Sequence, residues 1–304
     1  MLKSKKKVAI LKGGPSPEKE ISIKTGNQVI QALKTNYKVE SITVSNNIKE
    51  LINQLIEFKP DVVFNALHGC FGEDGQIQSI LNSLKIPYTH SGTLASSVGM
   101  NKYISKIIFE GIGIQCPKGK KIKVKNLKKE ITIPSIIKPI NGGSSIGITK
   151  IFDKNQLTDD IITYNNSDEE ILIEDFIPGR EITVGVLNNT VCGITEIITQ
   201  SDLYDYTSKY IKVAKHVQSP ILPVTILEKL KKNAEMAHNI LGCNCISRSD
   251  FRYDDKNETI YLLEINTQPG LTNSSLLPEM AMAKGINFFK LCQILIDNAR
   301  CENL

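Results

Sequence analysis

Apolar positions along this chain recur with two periods, and the alternation between them outlines a fold. Val8-Ala9-Ile10-Leu11 is a short apolar run that stops at Gly13-Gly14-Pro15-Ser16-Pro17, which reads as a buried strand running into a turn. A helix is expected from about Ser22, with Val29, Ile30 and Leu33 on one face. Asp61 to Leu67 reads as a second buried strand ending in His68-Gly69, and after Gly75 the residues Ile77, Ile80, Leu81 and Leu84 return to helical spacing. Strands alternating with helices predict an α/β unit with a parallel sheet. Ligands of such sheets bind at loops beyond the carboxyl ends of the strands, and here those loops carry Glu18 and His68.

Further along, Ser135 to Lys138 and Ile171 to Glu174 are strand-like runs flanking Asn141-Gly142-Gly143-Ser144-Ser145-Ile146-Gly147. Glu181 to Leu187 and Val191 to Ile198 are strands joined by an Asn188-Asn189 hairpin turn. A helix is expected from Thr225, where Glu228 three residues on completes a capping box. Leu227, Leu230, Ala234, Ala237 and Leu241 would form its buried face, and Gly242 would end it. Gln200 to Leu222 has little pattern and reads as a long loop of the functional or mobile kind. The organisation expected is three units, residues 1–96, 97–180 and 181–304.

The segment Arg248 to Asn266 carries the most chemistry. Two β-prone runs flank the polar turn Asp254-Asp255-Lys256-Asn257, which predicts a hairpin. Side chains alternate along a strand, so Arg248 and Asp250 share a face of the first strand, and Glu264 and Asn266 share a face of the second. Closing the hairpin brings Asp250 roughly opposite Glu264. Facing carboxylates repel, and the arrangement makes sense with a hard cation between them and the Asn266 amide oxygen as a further ligand. Few protein oxygens, with the rest left to water and phosphate, is the pattern for Mg²⁺ serving a nucleotide.

Composition narrows the class. The 304 residues are 41% hydrophobic and 23% charged, with a net charge of +5, as in ordinary globular chains. Lys3, Lys5, Lys6 and Lys7 are followed by no long apolar stretch, so no signal peptide is expected, and no run approaches the ~18 residues of a membrane span. The lysine clusters come with no nucleic-acid motif. Seven cysteines show no framework spacing; Cys243 and Cys245 lack a second pair or a histidine, so all seven are expected as reduced thiols of a cytoplasmic protein. Nothing near Cys70, Cys116 or Cys192 supplies a base for a nucleophilic thiol.

The loop after Lys138-Pro139 is rich in backbone donors suited to phosphates, although no Gly-Lys-Ser/Thr ends it as in a Walker A loop. Gly111-Ile112-Gly113 lacks the third glycine of a dinucleotide fingerprint, which argues against an NAD enzyme. The stretch Ile171 to Glu181 is open to two readings, an adenosine site or a plain interdomain linker. His68, alone at a strand end, suits a structural or a proton-transfer role.

Several stretches together are similar to a known family. They are Gly13-Gly14-Pro15-Ser16-Pro17-Glu18-Lys19-Glu20-Ile21-Ser22, Leu67-His68-Gly69-Cys70-Phe71-Gly72-Glu73-Asp74-Gly75, Asn101-Lys102, Lys138 to Gly147, Tyr206 to Tyr210, Arg248-Ser249-Asp250, and Glu264-Ile265-Asn266 through Gly270 to Leu276. In this order they resemble the D-alanine–D-alanine ligases of the ATP-grasp superfamily along essentially the whole chain. The resemblance implies three domains, an N-terminal parallel-sheet domain and two α+β domains clasping ATP. It implies that Lys102, Lys138 and Ser145 face ATP phosphates, and that Glu174, the backbone at Ile177 and Glu181 hold adenine and ribose. Asp250, Glu264 and Asn266 would bind two Mg²⁺ ions, or Mn²⁺. Glu18 would hold the ammonium of the first D-alanine, with His68 nearby. Arg248 and the Gly270 amide would stabilise an oxyanion, and Ser275 with the Leu276 amide would bind the second D-alanine carboxylate. Lys209 and Tyr210 would sit on a loop closing over ATP, Tyr210 linked through Ser144 to Glu18. A homodimer is also implied.

The chain departs from the family at Asn101, where aspartate is usual, at Asp175, where lysine is common, at Ser208, where alanine is common, and at Asn141-Gly142. The activity implied is ligation of two D-alanines through an acyl phosphate, for peptidoglycan precursors. One rival is a ligase forming a depsipeptide such as D-alanyl-D-lactate. Another is a non-catalytic relative, which should lack a metal ligand or the arginine.

Overall fold

The computed structural model describes residues 5–143, 146–157, 168–199, 214–272 and 274–302. The first sheet is parallel, in the order β2-β1-β3, built from β1 (Lys7–Gly13), β2 (Lys38–Val44) and β3 (Val62–Asn65). Helices α1 (Lys19–Leu33) and α2 (Ile48–Phe58) make the crossovers, followed by α3 (Gln76–Ser83), α4 (Thr93–Met100) and α5 (Lys102–Gly111). Val8, Ala9, Ile10 and Leu11 are all inaccessible to solvent. A central parallel strand covered on both faces needs such an unbroken apolar run.

The second sheet is antiparallel, in the order β4-β7-β5-β6, from β4 (Gly119–Lys123), β5 (Ser135–Pro139), β6 (Thr149–Ile151) and β7 (Glu170–Asp175), with the short helix α6 (Leu127–Glu130) beside it. The third is a five-stranded antiparallel sheet, β10-β9-β8-β11-β12. Its strands are β8 (Arg180–Leu187), β9 (Thr190–Ile198), β10 (Lys215–Gln218), β11 (Ile246–Asp254) and β12 (Thr259–Asn266). Three helices accompany it: α7 (Val224–Ile240), α8 (Leu276–Ala283) and α9 (Phe288–Asp297). The expected α/β class holds, a parallel N-terminal sheet followed by two α+β layers. Among the described residues no helix is long and apolar enough to cross a membrane.

Packing crosses sheet boundaries. Val8, Ile10 and Phe64 share one core with Leu277, Met280, Leu291 and Leu295, so the last two helices fold back onto the first sheet. Ala9 and Leu11, on the other face of β1, pack with Leu55, Ile77 and Leu81. Helix α7 sets Ile226, Leu230, Ala234 and Ala237 into a cluster with Val184, Phe251 and Leu262, which Phe109 of α5 joins. The four-stranded sheet has a separate core of Ile122, Leu127, Ile137, Ile171 and Ile173.

Several local expectations need correction. Helix α1 begins at Lys19, before Ser22, because Glu18 takes the N-cap place and its carbonyl accepts the Ile21 and Ser22 amides. Helix α7 has no capping box: Pro223 occupies the N-cap place, leaving Thr225 inside the first turn, where its hydroxyl cannot cap. Leu227 is only partly buried, while Ile226 and His238 join the covered face. The span expected as loop from Gln200 contains β10, which pairs with β9; four residues reading Lys-His-Val-Gln give too little alternation to announce an edge strand. The Asn188-Asn189 turn forms as expected, with φ of 51° and 62°.

A glycine notch positions α8. Gly185 and Gly193 face each other across β8 and β9. A Cβ on Gly193 would lie 2.7 Å from Met280 Cβ and Cγ, and one on Gly185 would lie 2.7 Å from Met280 Sδ. The missing side chains let Met280, fully buried, seat α8 against the sheet. Gly185→Ala is expected to lower the unfolding free energy by about 1–3 kcal/mol through overpacking. In urea titrations a Met280→Ala background should recover part of that loss; strictly additive effects would show that the notch does not act through Met280.

Candidate active site

The β11–β12 ribbon is the floor of the site. Its register pairs Asp254 with Thr259 and Phe251 with Leu262, then shifts by one residue, so that Asp250 faces Glu264 and Arg248 faces Asn266. The irregularity is a β-bulge, a device that re-aims side chains near sites. Without it, counting back from the turn would put Asp250 opposite Leu263. The facing carboxylates expected from sequence are therefore present, and the bulge makes the facing direct.

Each carboxylate has drawn a cation of the chain. Arg248 clasps Asp250 in bidentate fashion, Nε donating to Oδ1 at 2.9 Å and Nη2 to Oδ2 at 2.8 Å, a fork geometry that charge-assisted pairs favour. Thr183 Oγ1 donates to the same Oδ1 at 2.6 Å. Lys102, at the start of α5, sets its ammonium 3.5 Å from Glu264 Oε2 and donates to the Gly142 carbonyl at 2.5 Å. Asn266 Oδ1 accepts the Gln268 amide at 2.8 Å, which holds the side-chain carbonyl in place. Among the described residues no group of three or more His, Cys, Asp or Glu could hold a metal by itself. The oxygen set is two carboxylates and an amide.

Two clefts meet at Glu264, which lines both. The larger, about 320 Å³, brings together Glu18, His68, Lys102, Arg248, Asn266 and Gly270, with Ser275 and Leu276 on its wall. Glu18 is 8% exposed, and its carboxylate lies beneath Gly143. His68 is fixed at both ring nitrogens, Nδ1 to Glu73 Oε1 at 2.8 Å and Nε2 to Thr25 Oγ1 at 3.0 Å. Ser275 is the N-cap of α8, and Leu276 is its first residue. Helix N-termini leave backbone N–H groups without intrahelical partners, so this corner suits an anion. Ser275 Oγ lies 3.0 Å from the Thr272 amide and 2.8 Å from Thr272 Oγ1.

The smaller cleft, about 90 Å³, is lined by Lys138, Glu174, Ile177, Glu181 and Asp250, with Ile136, Ile148 and Phe176 supplying apolar wall. Lys138 Nζ lies 2.5 Å from Glu174 Oε2. Glu181 lies opposite Arg252 across β8 and β11, at 3.7 Å. The slot is apolar on one wall, ends in carboxylates and a lysine, and meets the larger cleft at Glu264. Ser144, Ser145, Lys209 and Tyr210, and the departure at Ser208, lie outside the described residues.

The structure also brings forward residues absent from the expected set. Glu20 and Glu73 line the larger cleft. Lys106 is a buried partner of Glu174, at 2.5 Å; its signal was the four-residue spacing from Lys102 on one helix. Gln268 donates to the Leu67 carbonyl and accepts from Asn65 Nδ2 at 2.8 Å, tying the loop after β12 to the loop that carries His68. Asn101 caps α5, Oδ1 accepting the Ile104 amide at 3.0 Å, a role asparagine fills as well as aspartate. Asp175 is exposed on the rim of the smaller cleft. All seven cysteines are free thiols, and burial pushes those of Cys116, Cys243, Cys245 and Cys292 up to about 12, which leaves them unreactive.

Comparison with known proteins shows the family. Residues 46–91 match the family model described as D-ala D-ala ligase N-terminus, and residues 109–297 match D-ala D-ala ligase C-terminus. The D-alanine–D-alanine ligase of Pelagibacter ubique is 46% identical, over 97% of this chain and 98% of its own. Among solved structures, the D-alanine–D-alanine ligase of Bacillus anthracis superposes with a TM-score of 0.83 at 33% identity, covering 96% of this chain and 97% of that one. The same enzyme complexed with ATP superposes with a TM-score of 0.81 at 31% identity, covering 96% of each chain. Family models that match most of the chain, a relative 46% identical over nearly its full length and a fold shared with solved members make the chain a member of the D-alanine–D-alanine ligase family, with its ATP-grasp architecture.

Proposed function

We propose that the protein joins two molecules of D-alanine into D-alanyl-D-alanine, with conversion of ATP to ADP and phosphate, for peptidoglycan precursor synthesis. The observation that carries this reading is the meeting of the two clefts at Glu264, which would let a nucleotide tail held in one reach an amino acid held in the other. In the first step the carboxylate of one D-alanine attacks the γ-phosphoryl group, giving D-alanyl phosphate and ADP. In the second the amine of another D-alanine attacks the acyl carbon, and phosphate leaves as the tetrahedral adduct collapses.

Phosphoryl transfer of this kind needs positioning and charge neutralisation more than covalent help. Lys138 and Lys102 hold phosphates in this reading, while Glu174, the Ile177 backbone and Glu181 hold adenine and ribose. Glu18 takes the ammonium of the first D-alanine beside His68, and Ser275 with the Leu276 amide takes the carboxylate of the second. Arg248 and the Gly270 amide face the developing oxyanion. The donor set supports Mg²⁺: two carboxylates and an amide oxygen gather on one ribbon, and each carboxylate has attracted a positive side chain. Asp250, Glu264 and Asn266 would hold the ions, which when bound would neutralise phosphate charge. The units 1–96, 97–180 and 181–304 and a homodimer belong to the same reading; sedimentation tests the dimer.

ADP release is expected with D-alanine, and neither with L-alanine nor without an amino acid. With D-lactate in competition, mass analysis should find the dipeptide; a depsipeptide as the main product would favour the rival ligase. Glu264→Gln should abolish ligation with the melting temperature preserved, and near-normal turnover would sink the metal assignment. Arg248→Ala should lower kcat by about 10²–10³-fold, the scale of losing one oxyanion donor; an unchanged kcat in the coupled ADP assay would remove Arg248 from that role.

A further inference from the structure

Helix α5 carries two lysines one turn apart, and the mechanism above uses only Lys102. Lys106, four residues on, rises from the same side of the helix and meets a different carboxylate. Its ammonium is 2.5 Å from Glu174 Oε1, while Lys138 holds Oε2 at the same distance. The three side chains are 9%, 3% and 6% exposed, for Lys106, Glu174 and Lys138. The surroundings are built for the contact. Gly119 faces Glu174 across β4 and β7, and a Cβ there would lie 2.8 Å from Glu174 Cγ and 3.2 Å from Lys106 Nζ. Any side chain at 119 would press on the pair.

The two lysines differ in access. Lys138 and Glu174 line the smaller cleft, whereas Lys106 stands behind Glu174 and does not. A ligand can therefore recruit Lys138 without touching Lys106. With two cations on one carboxylate the cluster carries a surplus positive charge, which an arriving phosphate can take up through Lys138. Glu174 then keeps one counter-ion, and its Oε2 is opened to a donor in the cleft. Without Lys106 the same recruitment would strand a buried carboxylate, which is strongly unfavourable.

Resting on the ligase reading above, we propose that Lys106 is a positioning residue for the nucleotide. It fixes Glu174 through Oε1, so that Oε2 accepts from the exocyclic amino group of the base while Lys138 turns to phosphate. A base with a carbonyl in place of that amino group meets an acceptor and is rejected.

Steady-state kinetics of Lys106→Met and Lys106→Arg with ATP and with ITP tests this. Lys106→Met is expected to raise KM for ATP by about tenfold or more, the scale of unpairing a buried charge. It should also shrink the preference for ATP over ITP and leave KM for D-alanine within about twofold of wild type; Lys106→Arg should recover most of the preference. An unchanged ATP:ITP ratio in Lys106→Met overturns the proposal, as does a loss shared equally by both nucleotides and D-alanine. If Lys106→Met does not fold, Lys106→Gln is read in the same way; folding with arginine but with neither methionine nor glutamine makes the residue structural and also overturns it. Wild-type protein releasing no ADP with D-alanine would instead remove the ligase reading, and calorimetry of ATP and ITP binding to wild type and variant would still decide the role of Lys106.

Discussion

Two like charges meet across neighbouring strands, and the way their repulsion is relieved organises everything around them. Asp250 and Glu264 stand in direct register. Asp250 is relieved from its own strand by Arg248, whereas Glu264 is relieved from a distant helix by Lys102. The same pattern recurs at Glu174, where Lys106 and Lys138 converge. Apart from Arg248 and Asp250, the members of these ion pairs come from different elements. Buried pairs of this kind contribute little to stability compared with apolar replacements, so their presence points to ligands that exchange partners with them.

Apolar packing keeps this charge array in place. The bulge at Leu263 turns Glu264 toward Asp250, and the run on the opposite face, Phe251 and Leu262, is buried against α7. The notch at Gly185 and Gly193 sets the distance of α8 from the sheet, and with it the positions of Ser275 and Leu276. An α-carbon with no substituent, in register with Arg248 across β8 and β11, is thereby coupled to the geometry of an anion corner.

Much of this was legible in the sequence because it follows from short-range rules. Alternation placed Arg248 with Asp250 and Glu264 with Asn266, and the Asn188-Asn189 turn was readable from residues that tolerate positive φ. Long-range facts were not. The bulge that makes the carboxylates face each other has no local signature in Tyr261-Leu262-Leu263-Glu264. Lys106 drew no reading, since its burial depends on Glu174, 68 residues away. The capping box at Thr225 had the right spacing, but a proline two residues earlier already occupied the cap position. Glu20 and Glu73 sit within motifs that were noticed, yet only the folded cleft brings their side chains to its wall.

The separate core of the four-stranded sheet has a mechanical corollary. The first and third sheets share one core, to which Val8 and Ile10 come from the first, Leu187 and Ile246 from the third, and Leu277 and Met280 from α8, and the Asn65–Gln268 amide contact rivets them further. Parting them would wet a common interior. Among the described residues, the isoleucine-rich cluster of β4, β5, β6 and β7 includes no side chain from either of those sheets. Swinging that layer outward would break ion pairs and hydrogen bonds, which water can replace, and would uncover little hydrocarbon. The softest seam of the molecule therefore runs along the smaller cleft, where the four-stranded sheet meets the rest, while the first and third sheets form one rigid body beside it.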